Sequence, residues 1–178
     1  MLRRSIDGDE MKKLGTILIV GISLIVLIAC GGATVTPDMP PEILYGEDVC
    51  DQCNMIISDE RFAAGLVVEL APGEFEHRIF DDIGDLLAYE KTLGEEFTIA
   101  AYYVHDYNSK ERIDGKSAYY IHSEELFTPM GFGLAAAAQE LEAEALAEEW
   151  NGSVLSFAEL HKRFMAGQDV AEHVHQHN

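Results

Sequence analysis

The sequence predicts an α+β fold: two small β-β-α-β lobes behind a lipoprotein signal peptide and a flexible tether. Three observations carry this expectation. Short β-branched and aromatic runs alternate with turn signals through the middle of the chain. Helix-forming segments with cap or stop residues fall between them. The same order of elements occurs twice, at about 60–105 and 115–156, without a residue-level repeat. The whole chain is 178 residues, 48% hydrophobic and 25% charged, a composition that excludes wholesale disorder. Its formal charge of −20, from 12 Lys and Arg against 32 Asp and Glu, makes nucleic acid an unsuitable partner. Phosphate contacts need clustered cations, which a polyanion of this charge density is poorly placed to supply.

The chain starts with an address. Met11-Lys12-Lys13 precedes an apolar run from Leu14 to Ala29, the layout of a secretory signal. That run of about 16 residues is short for a bilayer-spanning helix, which needs roughly 20. It closes in Leu27-Ile28-Ala29-Cys30-Gly31, which resembles a bacterial lipobox. The expectation is a signal peptide over 1–29 and lipid on Cys30 as mature N-terminus. The chain would then be held by acyl chains in a bacterial membrane, on its extracytoplasmic, periplasmic side. An uncleaved anchor is the alternative. Asp7, Asp9 and Glu10 have the wrong charge for a signal start, so Met11 is the expected first residue. Residues 30–42, with Pro37, Pro40 and Pro41, read as a tether.

The folded part is expected over 43–166. Arg61 to Leu70 reads as a strand, Ala71-Pro72-Gly73-Glu74 as a turn and Phe75 to Phe80 as a second strand. Asp81 can cap a helix running to about Lys91. Phe97 to Val104 is the third strand of the first lobe. In the second, Lys116 to His122 and Gly131 to Ala138 read as strands, although the alanines at 135–138 favour helix by propensity. Glu140 to Trp150 forms a helix stopped by Asn151-Gly152. Ser153 to Leu155 is a short strand and Phe157 to Met165 a last helix. Residues 167–178 read as a flexible His-rich tail.

The chemistry centres on Cys50-Asp51-Gln52-Cys53-Asn54-Met55. Thiolate and thioether sulfurs are soft ligands that select Cu(I) above all, and thiolates also take Zn. A turn can aim Cys50 and Cys53 at one ion, with Met55 at its rim. A zinc ribbon would need a second ligand pair, and the sequence offers no other Cys pair. A thioredoxin-like redox pair should follow a strand and open a helix, which the flanking residues do not suggest. A local disulfide or two buried cysteines remain open. Met130, between Pro129 and Gly131, sits in a turn and can meet the cysteines or pack in its loop. His105 and His122 are weaker ligand candidates, since such a histidine is more often a strand-end surface residue than a ligand. His173, His175 and His177 can gather Cu(II) or Zn, or form a solvated tail.

In that order, the lipobox, Cys50-x-x-Cys53-x-Met55, Phe80-Asp81, Tyr103-Val104-His105-Asp106, Ala118-Tyr119-Tyr120-Ile121, Pro129-Met130-Gly131-Phe132-Gly133-Leu134 and Asn151-Gly152-Ser153 resemble the NosL family. The resemblance spans about 45–160. It implies a copper-binding lipoprotein that serves maturation of nitrous oxide reductase, with two β-β-α-β lobes similar to part of organomercurial lyase. It implies Cu(I) as cargo, Cys50, Cys53, Met55 and Met130 as ligands, and no enzymatic activity. As partners it implies a copper-receiving enzyme such as nitrous oxide reductase, a membrane transporter complex, and the bilayer through Cys30. Asn54, where the family usually has Gly, and the acidic helix from Glu140 to Glu149 depart from its pattern. The competing reading is an extracytoplasmic thiol-disulfide oxidoreductase using Cys50 and Cys53. A carbon–mercury lyase, by fold analogy alone, and an interaction lipoprotein with a vestigial site are the other two.

Overall fold

The computed structural model describes residues 35–94 and 97–168. The signal peptide, Cys30 and the three histidines of the tail lie outside the described residues. No helix among the described residues is long and apolar enough to cross a membrane.

Strands β1 (Ala64–Ala71) and β2 (Glu74–Phe80) form a hairpin across Pro72-Gly73. Gly73 has φ +79°, a left-handed conformation that suits glycine. Helix α1 (Ile83–Thr92) follows, and β3 (Thr98–His105) returns against the other side of β1. A three-residue strand, β4 (Arg112–Asp114), adds an outer edge that the sequence pattern did not reveal. At three residues it is too short to show a period. The sheet order is β2-β1-β3-β4, antiparallel throughout.

The second lobe repeats the plan. Strands β5 (Tyr119–His122) and β6 (Leu134–Ala137) pair, α2 (Glu140–Glu149) follows, and β7 (Ser153–Ser156) returns to the far side of β5. The order β6-β5-β7 is that of β2-β1-β3, with the first strand of each lobe in the middle. Helix α3 (Phe157–Met165) closes the fold, started by a reciprocal Ser156–Glu159 capping box.

The alanine run became a strand for a packing reason. Leu134 and Ala136 belong to the large core with Phe80, Leu87, Val104 and Leu160. Ala135 and Ala137 belong to a smaller core with Phe62, Ile121 and Leu146. The strand is thus buried on both faces, where small side chains admit close neighbours, and this overrides helix propensity. The two lobes also touch through the backbone: Tyr107 N–H donates to the Ala136 carbonyl at 2.8 Å.

The start of α1 corrects one expectation. Its cap is Asp82, not Asp81: the Asp82 carboxylate accepts from Gly84 N–H at 2.8 Å. Asp81 instead turns back to accept from Ser58 N–H at 3.2 Å, fastening the segment that follows the cysteine turn. Asp81, Asp82 and Asp85 are all buried at this helix start. Negative charge is favoured there, where unpaired N–H groups and the helix dipole converge.

Candidate metal centre

The cysteine motif folds as a tight hairpin turn. Val49 and Ile56 pair across an isolated antiparallel bridge, and Cys50 N–H donates to the Met55 carbonyl at 2.8 Å. Asn54 N–H closes the turn on the Cys50 carbonyl at 3.0 Å. Asn54 itself has φ +61°. Glycine accepts that conformation most readily and asparagine is among the next best, so a residue that departs from the family pattern still meets the backbone's demand.

The turn aims both sulfurs at one point. Cys50 is buried, Cys53 is partly buried, and both are free thiols. Cys53 N–H donates to Cys50 Sγ at 3.4 Å. The Cys50 thiol in turn donates to Asp85 Oδ2 at 3.3 Å. Cys50 Sγ, Cys53 Sγ and an Asp85 carboxylate oxygen all lie within 4.8 Å of one another. Among the described residues these three make the one such group of His, Cys, Asp and Glu that could hold a metal ion. Burial, with the Asp85 carboxylate beside it, pushes the Cys53 thiol up to about 12.

Asp85 was missed from sequence. The signal was present: it is a charged residue inside Ile83-Gly84-Asp85-Leu86-Leu87, a helix turn buried at every position. A carboxylate in such a run needs a partner, and here the partner is a thiol.

Met130 comes to the same helix start. Asp82 Oδ2 accepts from Thr128 Oγ1 at 2.6 Å and from Met130 N–H at 3.1 Å. Burial pushes the Asp82 carboxyl up, and these hydrogen bonds act against that rise. Gly84 provides the seat for the turn, because a Cβ there would sit 2.0 Å from the Phe132 ring. The loop of the second lobe is therefore pinned one helical turn from Asp85. Met130 is 37% exposed and Met55 is 52% exposed, so neither thioether is committed to the core.

The histidines fall elsewhere. His105 is buried, with Nδ1 2.8 Å from the Ala63 carbonyl and Nε2 3.2 Å from the Tyr45 hydroxyl. Both ring nitrogens are thus engaged, which removes it from the candidate ligands. His122, on β5, lines a shallow groove of about 550 Å³ with Gly131, Phe132 and Phe164, and is not part of the cysteine group.

The redox alternative fares poorly. Thioredoxin-like chemistry wants a thiol of depressed pKa at a helix start. Here the pair occupies a hairpin turn, and the Cys53 thiol is shifted upward.

Fold and site together define a two-lobed α+β protein whose paired cysteines meet a buried carboxylate at a helix start. The family model described as NosL matches residues 41–165, and the chain belongs to that family. A copper-binding lipoprotein NosL from Stutzerimonas stutzeri is 29% identical over 173 residues, covering 92% of this chain and 88% of that protein. The crystal structure of the copper chaperone NosL from Shewanella denitrificans matches with a TM-score of 0.55 at 18% identity. That match covers 66% of this chain and 92% of that one, and at this identity it speaks for the fold alone.

Proposed function

We propose that this protein is a membrane-anchored, extracytoplasmic Cu(I)-binding protein that passes copper to nitrous oxide reductase or a similar copper enzyme, and is not itself an enzyme. The observation that carries the reading is the Cys50–Cys53–Asp85 cluster, with both sulfurs free. An ion bonded to two thiolates at about 2.3 Å each needs sulfurs no more than about 4.6 Å apart. The ceiling of 4.8 Å on their separation is close to that span. Soft sulfur selects Cu(I), whereas the single carboxylate is a poor ligand for it. Asp85 serves as a positioning residue: its carboxylate orients the Cys50 thiol by accepting its hydrogen bond. Met55 and Met130 supply neutral sulfur at the rim, so that an incoming ligand can displace one donor at a time. The reading also draws on the name of one relative, a copper-binding lipoprotein. Lipid on Cys30 and an extracytoplasmic location rest on the lipobox-like Leu27-Ile28-Ala29-Cys30 and on that name.

The test is an anaerobic Cu(I) titration of the reduced full chain against a competing chelator, followed by transfer to candidate apo-enzymes, nitrous oxide reductase first. Cu(I) held more tightly than Zn(II), and delivered to an apo-enzyme, supports the proposal. Preference for Zn(II), or turnover of dithiol substrates, would retire it.

A further inference from the structure

Three exposed apolar side chains stand on the two loops of the metal centre without being among its candidate ligands. On one side the bridge between Val49 and Ile56 sets two large side chains next to each other, 49% and 55% exposed. On the other, Phe127 is 93% exposed, one residue before the Thr128 hydroxyl that bonds Asp82. A phenylalanine this bare, on a loop fastened to the same helix start as the cysteine turn, is the signature of a surface that another body covers.

The charge around these loops narrows what that body is. Residues 44–60 and 123–134 contain no Lys or Arg. Glu47, Asp51, Glu124 and Glu125 are exposed on them. Arg61 and Lys110 pair with Asp59 and Glu60, and Lys91, which lines a groove with Gly131 and Phe132, donates to the Phe164 carbonyl. A second copy of this chain would set carboxylates against carboxylates, and an anionic bilayer would repel them in the same way. A protein with an apolar seat and a cationic rim is attracted on both counts.

We propose that the Val49–Ile56 bridge and the Phe127 loop form the docking face for the copper-receiving protein, whose opposing surface is apolar at its centre and rich in Lys and Arg around it. This rests on the function proposed above and assigns the recognition that function requires. Docking here puts the acceptor's ligands beside the Cys50–Cys53 turn, where copper can change hands without entering solvent. Long-range attraction then makes delivery faster at low ionic strength.

The experiment uses the full chain in detergent micelles, with apo nitrous oxide reductase as the acceptor. Copper release to bicinchoninate, a small chelator that needs no docking, runs in parallel. The variants are Ile56→Ser with Phe127→Ser, and Glu47→Lys with Glu124→Lys. The apolar pair should slow transfer to the reductase about tenfold, and the charge reversal should flatten its salt dependence. Release to the chelator should stay within about twofold of wild type, because none of the four side chains is a ligand. Binding of the metal-free chain to the reductase, by biolayer interferometry, should weaken in step with transfer. The proposal is overturned if both variants load and bind the reductase like wild type, or if chelator release slows equally. It is also overturned if wild type loads the reductase no faster than chelated copper does. Loss of vesicle binding or of self-association in place of reductase binding would assign the face to a bilayer or a second copy. A chain that takes up no Cu(I) in the chelator titration defeats the proposed function instead, and the interferometry still judges the docking face.

Discussion

The two lobes share one strand order, yet among the described residues only the helix start of the first meets a pair of cysteines. The difference lies in how each helix begins. In the first lobe α1 starts on Asp82, whose carboxylate binds Gly84 N–H, the Thr128 hydroxyl and Met130 N–H together. Its whole first turn is buried, including Asp85. In the second lobe α2 starts on Gln139, which makes no side-chain cap, and Glu140 and Glu142 of its first turn are not buried. The same topology thus gives an ordinary solvated helix start in one copy. In the other it gives a buried cluster of carboxylates that organises a thiol and a methionine loop. Topology provides the place, and burial of charged groups at that place provides the chemistry.

Breaking the cysteine side of this comparison should have the largest effect. Cys50→Ser or Cys53→Ser should lower Cu(I) affinity by about a hundredfold or more, since a hydroxyl is a hard ligand in a soft site. Chelator competition measures it, and deletion of residues 170–178 should cost far less. A larger loss from the tail deletion would transfer the site to the histidines. Next in size is the cap. Asp82→Ala removes the acceptor for three donors and should destabilise the metal-free protein by about 2 kcal/mol in chemical denaturation. Gln139→Ala, at the matching position of the second lobe, should be nearly silent. Gln139→Asp should stabilise by about 0.5–1 kcal/mol by adding the missing cap.

Gly84→Ala comes third, at about 1–3 kcal/mol, because the new methyl meets the Phe132 ring. Adding Phe132→Ala should recover part of that loss, and no recovery would mean that the two residues do not share a seat. Protons give a smaller and graded effect. The Cys53 thiol is raised to about 12 in the folded chain against 9.0 as its ordinary value. Its contribution to metal-free stability is therefore complete below about pH 9 and is lost as pH rises toward 12. Cys53→Ser should remove that alkaline slope. Cu(I) displaces the same proton, so apparent affinity should rise with pH across the neutral range. The smallest effect is Met130→Ala, which should lower Cu(I) affinity more at acidic than at neutral pH. A thioether has no proton to lose, so its share grows as protons compete for the thiolates. The melting temperature should change little, as the side chain is partly exposed.

Much of the architecture was legible because its signals are local. The turn at Pro72-Gly73, the Asn151-Gly152 stop and the period of the first-lobe strands all depend on neighbouring residues. The doubled β-β-α-β order could be read from them without any knowledge of contacts. What escaped depends on tertiary structure. Three residues of β4 have no pattern of their own. Asp81 and Asp82 cannot be told apart as caps until Ser58 is seen to claim Asp81. His105 resembles a ligand in sequence and becomes a buried hydrogen-bonding residue between Tyr45 and Ala63. The sulfur residues of the site were visible as a motif, and Asp85 was not, because its role comes from a thiol 35 positions earlier in the chain.

In the proposed function the cysteine turn holds Cu(I) through sulfur. X-ray absorption of the Cu(I)-loaded full chain, beside Cys50→Ser and Cys53→Ser, tests it most directly. The account predicts a first shell dominated by sulfur, at about the 2.3 Å of a metal–thiolate bond, that loses sulfur in each variant. A shell of nitrogen or oxygen that neither substitution alters would contradict it.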